Sequence, residues 1–364
     1  MSFSTSPFDT DRAAAFAGRV LDVINNGSLA LMMSIGHRTG LFDVMSGLPP
    51  STSAGIAAAA RLNERYVREW LGAMVTSGVV EVDEASTHFV LPPEHAAALT
   101  RAAGMDNMAA FTQYVAVLGG VEDDIVRCFR EGGGVPYERF PRFHAVMAED
   151  SGQSVVSALE THILPLVPGL TDRLAGGIRV LDAGCGSGRV LNRLAELYPA
   201  STFTGLDFSA EAVGAATAEA AARGLTNARF LVRDLSDFDA TADPAAYDFI
   251  TTFDAVHDQA QPLRLLKGIH RALAPDGLYL MQDIKGSSTV RNNIGHPLGT
   301  FLYAVSTMHC MTVSLAQGGE GLGAMWGEET TREYLARAGF TSVEKHEPPH
   351  DVQNNLYVVQ KRVL

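Results

Sequence analysis

Apolar and polar positions divide this chain into a front part with helical periodicity and a back part in which two periods alternate. From Gly176 onward, short apolar runs typical of strands alternate with stretches whose apolar residues recur every three or four positions, which predicts a parallel sheet with covering helices. The plainest unit is IRVLDAGCGSGRVLNRLAELYP. It is an apolar strand that turns through Gly184, Gly186 and Gly188 into a helix with Val190, Leu191, Leu194 and Leu197 on one face and Pro199 as its stop. Residues 12–100 differ. RVLDVINNGSLALMMSIGHRTGLFDVM reads as short helices. TSAGIAAAARLNERYVREWLGAMVTSGVVEVDEASTHFVL reads as a small-residue helix, a turn near Leu62 and Asn63, a helix to Ser77, Gly78 as stop and two β-prone runs. Residues 101–175 look helical, broken by EGGGVPYERFPRFH, a loop that is either a connector or a lid carrying Tyr137, Phe140, Arg142 and His144 over a pocket. The expected division is 1–100, 101–175 and 176–364.

Helix, turn, helix and hairpin in residues 1–100 make a winged-helix pattern, often a DNA reader. Charge changes that picture. The segment holds six Arg, no Lys and ten Asp plus Glu, its wing VVEVDEAST is acidic, and the whole chain of 364 residues carries a formal net charge of −13. Phosphate backbones demand a basic surface, so nucleic acid is not the expected partner and a small molecule is. A dimerisation module is favoured, because Leu29, Leu31, Met32 and Ile35 would suit a second copy of the chain. The three cysteines, Cys128, Cys185 and Cys310, are too few and too scattered for a disulfide framework. The start, MSFSTSPFDTDR, lacks a signal-peptide pattern and no apolar run is long enough to span a bilayer. A cytoplasmic protein that stays off membranes is expected.

The glycine turn opens a ligand question. Glycines there let a ligand approach the backbone N–H groups at the helix start, but the spacing is G-x-G-x-G, with Arg189 where a dinucleotide fingerprint wants a small residue. Asp182 ends the first strand, where a carboxylate can meet an ammonium group. Asp207 ends the next strand in STFTGLDFS, placed for two ribose hydroxyls, and Asp234 ends a third in ARFLVRDLSDF, placed for an adenine amino group. An amino acid, a ribose and an adenine together describe S-adenosylmethionine (SAM).

Through LDAGCGSG, LDFS, RDL and APDGLYLMQDI the second half of the chain resembles the class I SAM-dependent methyltransferases. The resemblance implies an α/β fold, a Rossmann-like class I methyltransferase sheet behind an N-terminal, mainly α winged-helix domain. FTSVEKHE and NLYVVQKR look like its closing antiparallel strand pair. It also implies that Gly184, Gly186, Asp207 and Asp234 bind the cofactor, with Phe208 and Leu235 flanking the adenosine; Asp182, Gly188 and Phe253 complete the expected cofactor set. An NAD-linked oxidoreductase is disfavoured by the loop spacing, and a winged-helix regulator that senses a nucleoside by the acidic front half.

FDAVHD, Phe253–Asp258, follows the fourth strand where nucleic-acid amino-methyltransferases typically carry a different motif. The two-part chain is similar to dimeric small-molecule O-methyltransferases of the caffeate type, in which a histidine at this offset takes a hydroxyl proton; His257 is the matching base. A second resemblance is to metal-dependent 2-oxo acid C-methyltransferases of peptide-antibiotic biosynthesis. It implies His257 and His309 as metal ligands, joined here by Asp254, three residues before His257, with Zn or Fe as the ion. C3-methylation of a 2-oxo acid through a metal-stabilised enolate is the function expected first. Asp258 would serve proton removal, Arg142 would hold the substrate carboxylate, and Tyr114, Tyr137 and Trp326 would line the substrate pocket. The loop Gly318–Gly327 would close over an apolar side chain.

Overall fold

A computed structural model describes residues 8–361, and the chain divides into two compact units, Met1–Ala116 and Val117–Leu364. The segment expected as linker and lid, 101–175, is thus shared between them.

In the first unit Thr10–Thr39 is one helix of 30 residues, where short helices were expected. Asp9 caps it, its Oδ1 accepting from the backbone N–H groups of Asp11 and Arg12 at 3.0 Å, and Gly40 ends it in the left-handed conformation. The Asn25-Asn26-Gly27 stretch does not break it, since once a helix is nucleated one glycine costs only about 1 kcal/mol. Helices Leu41–Ser46, Ser53–Ala60 and Glu64–Thr76 follow, with Arg61 in the left-handed region at the turn between the last two. The wing is a short antiparallel pair, β1 (Glu81–Val82) and β2 (Phe89–Val90). Phe42, Ile56, Leu71 and Met74 form the core, and the Trp70 indole N–H donates to the Met32 carbonyl at 2.8 Å. The long helix buries residues only near its C-terminus; Phe16, Leu21, Val23 and Ile24 are about three-fifths exposed (64%, 63%, 62% and 59%).

The second unit is built on a seven-stranded sheet of β3 (Arg179–Ala183), β4 (Thr202–Asp207), β5 (Ala228–Val232), β6 (Tyr247–Phe253), β7 (Leu273–Ile284), β8 (Ser342–His346) and β9 (Asn354–Gln360). Their spatial order is β5-β4-β3-β6-β7-β9-β8, parallel except for β9, which lies antiparallel to both neighbours. Alternating residues feed the two faces. Val180, Phe203 and Phe249 pack into one core with Leu159 and Leu191, while Leu181, Leu206 and Ile250 pack into the other with Leu266 and Tyr279. The chain order reverses between β3 and β6, which opens a crevice outside their carboxyl ends. No helix among the described residues is long and apolar enough to cross a membrane.

Candidate active site

The crevice is a cleft whose wall contains all nine expected cofactor residues: Asp182, Gly184, Gly186 and Gly188, then Asp207 and Phe208, Asp234 and Leu235, and Phe253. Glycine is required in the loop for two distinct reasons. At Gly188, with φ of 66°, a Cβ would stand 2.5 Å from Phe230 Cε1, so the helix could not start this close to the sheet. At Gly186, with φ of 51°, the space beside the backbone is open, so conformation alone selects glycine. The Gly186 N–H donates to Asp207 Oδ2 and the Ser209 N–H to Oδ1, both at 2.9 Å, which pins the β4 end to the loop. Burial raises the Asp207 carboxyl above the ordinary range despite these donors. Asp182 is buried, accepts from Thr251 Oγ1 at 2.9 Å, and is pushed up by burial to about 7. Asp234 is exposed and accepts from the Ser236 N–H at 2.8 Å.

His257 is buried behind Asp258, which lines this cleft. Its Nδ1 is 2.7 Å from Asp283 Oδ1 and its Nε2 is 3.0 Å from Asp258 Oδ1. Burial by itself would lower its pKa, but the carboxylates of Asp283 and Asp258 on either side outweigh that and hold it well above the ordinary value. Asp283 is fully buried at the end of β7, where the Trp326 indole N–H and the Ile284 N–H also donate to its Oδ1, at 3.0 and 2.8 Å. The acid therefore holds the proton on Nδ1 and fixes the ring plane of His257. Asp258 lines the cleft.

An aromatic wall stands beside these groups. Tyr137 lines the cleft; its ring stacks on His144 at 4.6 Å and meets the edges of Phe208 and His309 at 5.4 and 5.1 Å. His309 is fully buried in a π-helical turn, Ser306–Cys310, and stacks flat on Phe143 at 3.5 Å. Neither of its ring nitrogens has a hydrogen-bond partner, and burial lowers its pKa to about 4, so the ring is neutral.

Several expected roles change. Asp254, His257 and His309 do not converge as a metal triad. Asp254 adopts a left-handed φ of 51° and turns Oδ2 to Gln282 Nε2 at 2.8 Å. Among the described residues, the group of potential ligands whose donor atoms lie within 4.8 Å of one another is His257, Asp258 and Cys310. Arg142 is exposed just before helix Phe143–Ser151 and is not part of the cleft wall, so it does not face a substrate carboxylate there. Trp326 is buried and serves Asp283 rather than covering a substrate. Tyr114 is a buried residue of the first unit, its ring 6.5 Å from Phe111. The Gly318–Gly327 loop is packed in place: the Gly321 N–H donates to Ser314 Oγ at 3.1 Å, the Glu320 N–H to the Ala260 carbonyl at 3.0 Å, and side chains at Gly319, Gly323 or Gly327 would collide with Ala260, Ser306 or Ser288. Sequence reasoning missed Asp283 and Cys310. The available signal for the first was an acid near the end of the mainly apolar run LYLMQDI.

Comparison with known proteins agrees with this architecture. Residues 27–101 match the family described as Rv2258c-like winged HTH domain, and residues 174–335 match the family described as methyltransferase domain. The chain therefore joins a winged-helix domain to a methyltransferase domain. More particularly, a 108-residue segment is 39% identical to the 2-heptyl-1-hydroxyquinolin-4(1H)-one methyltransferase of Mycobacteroides abscessus, covering 28% of this chain and 44% of that protein. A 103-residue segment is 33% identical to an uncharacterized protein of Synechococcus, covering 28% of this chain and 24% of the other. The chain thus spans under half the length of these curated relatives. The solved structure of the mitomycin 7-O-methyltransferase MmcR is similar with a TM-score of 0.68 at 18% identity, covering 97% of this chain and all of the other. Human N-acetylserotonin methyltransferase in complex with SAM gives 0.61 at 19%, over 99% and 100%. These two share its fold.

Proposed function

We propose that this chain is a SAM-dependent methyltransferase acting on the hydroxyl oxygen of an aromatic small molecule, with His257 as general base. The observation that carries the reading is His257 itself, buried beside the cleft, with Nδ1 committed to Asp283 and Nε2 turned toward the cleft-lining Asp258. The residues present fit the cofactor. The loop leaves open space at Gly186, Asp207 keeps lone pairs for two ribose hydroxyls after accepting two backbone bonds, and Asp182 is a buried acid suited to an ammonium partner. Asp234 and Leu235 would hold the adenine, with Phe208 flanking it. When bound, SAM supplies an electrophilic methyl carbon.

The chain's own part is then positioning and proton removal. His257 Nε2 takes the hydroxyl proton as the oxygen attacks, Asp283 stabilises the imidazolium that results, and Asp258 shares that charge. Tyr137 gives a flat ring an apolar surface to lie against. The name of the 39%-identical relative, a hydroxyquinolinone methyltransferase, supports a hydroxylated heteroaromatic acceptor. Metal-assisted C3-methylation of a 2-oxo acid ranks below this reading because Asp254, His257 and His309 do not bring their donor atoms together as one ligand group. The exposed apolar face of helix Thr10–Thr39 supports a homodimer.

The test is a panel of hydroxyarenes and 2-oxo acids incubated with methyl-labelled SAM and read by mass spectrometry. Label should appear on hydroxyarene oxygen, and His257→Asn should lower kcat by about 10²- to 10⁴-fold while calorimetric binding of S-adenosylhomocysteine is kept. Label found only on the carbon of 2-oxo acids would overturn the proposal.

A further inference from the structure

We infer that His309 orients the acceptor by hydrogen-bonding a second polar group close to the reacting hydroxyl, and so determines which hydroxyarenes are methylated and at which oxygen. The inference rests on the proposed O-methyl transfer and deepens it. His309 is an imidazole with no exposed surface whose two nitrogens both lack a partner. Buried polar atoms are normally satisfied, so both nitrogens have hydrogen-bonding capacity to spare for a polar group of the acceptor. Its ring plane is not free to adjust: Phe143 stacks on one face and Tyr137 and Phe140 press their rings at 83° and 75° to it.

Its place in the fold is next to the reaction, one ring behind the cleft wall. The next residue, Cys310, brings its thiol within 4.8 Å of donor atoms of His257 and Asp258, and the Asp258 charge acts on the His309 ring as well. One and two turns further along the chain, Val313 and Gln317 line the cleft, and so does Tyr137, whose ring covers His309. The π-helical turn at Ser306–Cys310 adds a residue to the helix at this point, a distortion common where a helix presents a functional side chain. A neutral imidazole offers one donor and one acceptor. Its counterpart is a carbonyl, a second hydroxyl or a ring nitrogen on a neighbouring position of the arene, as in a catechol or an 8-hydroxyquinoline.

Matched acceptors test this: catechol against phenol, and 8-hydroxyquinoline against 1-naphthol, at saturating SAM. One neutral hydrogen bond corresponds to roughly a tenfold difference, so the wild-type protein should prefer the substituted member of each pair by about tenfold in kcat/KM. In His309→Phe, which keeps the stack on Phe143 but removes both nitrogens, that ratio should fall to within about twofold, with the loss in KM for the substituted member. The variant should also melt at or above the wild-type temperature, because two unpartnered buried nitrogens are gone. An unchanged ratio in a folded variant overturns the inference. So does an equal loss on both members with a lowered melting temperature, which is the mark of a packing residue. If the wild-type protein methylates no hydroxyarene although it binds S-adenosylhomocysteine, the O-methyl reading has failed and the inference falls with it.

Discussion

A histidine held between two carboxylates is a strong base that starts with its proton already on. Asp283 and Asp258 keep His257 protonated above the ordinary value of about 6.5, so the working form increases with pH and kcat should climb as pH rises through the raised value. The same shift bears on folding. A histidine whose pKa is raised by folding contributes stability that is complete below its unfolded value and is lost as pH rises through its folded one, so alkaline conditions activate the site while weakening its support. Replacing Asp258 by Asn removes one carboxylate, and the rising limb of the kcat–pH profile should move to lower pH; a limb that stays put would show that another group controls it. Much at this scale was readable in advance. Asp182, Asp207 and Asp234 each lie within two residues of a strand's end next to a loop, a position that sequence alone marks. Asp283 was not readable, because its meeting with His257 depends on register: Phe253 pairs with Gln282 across β6 and β7, which sets the two strand ends side by side. Asp254 misled for the same reason, since its bond to Gln282 crosses that pair.

Among the elements, the glycine turn separates two kinds of necessity. Gly188→Ala places a methyl group against Phe230 and Ala216 in a left-handed conformation. It should cost the fold about 2–5 kcal/mol, the sum of overpacking and backbone strain, seen as an earlier unfolding midpoint in urea. Gly186→Ala meets open space and should cost only the backbone part, about 1–2 kcal/mol, while weakening S-adenosylhomocysteine binding in calorimetry by more than its loss of stability explains. Equal effects of both on stability would refute the distinction. Strand and helix alternation after Gly176 announced the sheet, and the turn, helix and hairpin after Ser53 announced the wing. The π-helical turn around His309 left no trace in the sequence, since it differs from an α-helix by one residue of spacing within an apolar run. The loop Gly318–Gly327 read as a lid because Leu322, Met325 and Trp326 would suit an apolar side chain; its glycines let backbone pass close to Ala260, Ser306 and Ser288.

At the scale of the whole molecule, helix Thr10–Thr39 leaves a face that a lone chain does not cover. Phe16, Leu21, Val23 and Ile24 are all largely exposed within nine positions of that helix, too many for scattered surface residues. A second copy of the chain is the occupant expected here. Light scattering should find a dimer, and Leu21→Glu with Ile24→Glu should give a folded monomer; a monomeric wild-type protein at micromolar concentration would sink the expectation. The net charge of −13 had already set nucleic acid aside, but charge has a local side too. Asp182 sits fully buried in the cleft with a carboxyl at about 7, so near neutral pH it divides its time between proton and no proton. An ammonium group arriving beside it should drive that proton off. Ligand capture then becomes an acid-releasing event: affinity should strengthen as pH rises toward about 7 and level off above it. The heat of binding should also differ between buffers of unlike ionisation enthalpy, and Asp182→Asn should erase both effects. The carboxylate that reads from sequence as a docking point thus makes the empty protein a reservoir that exchanges one cation, a proton, for another.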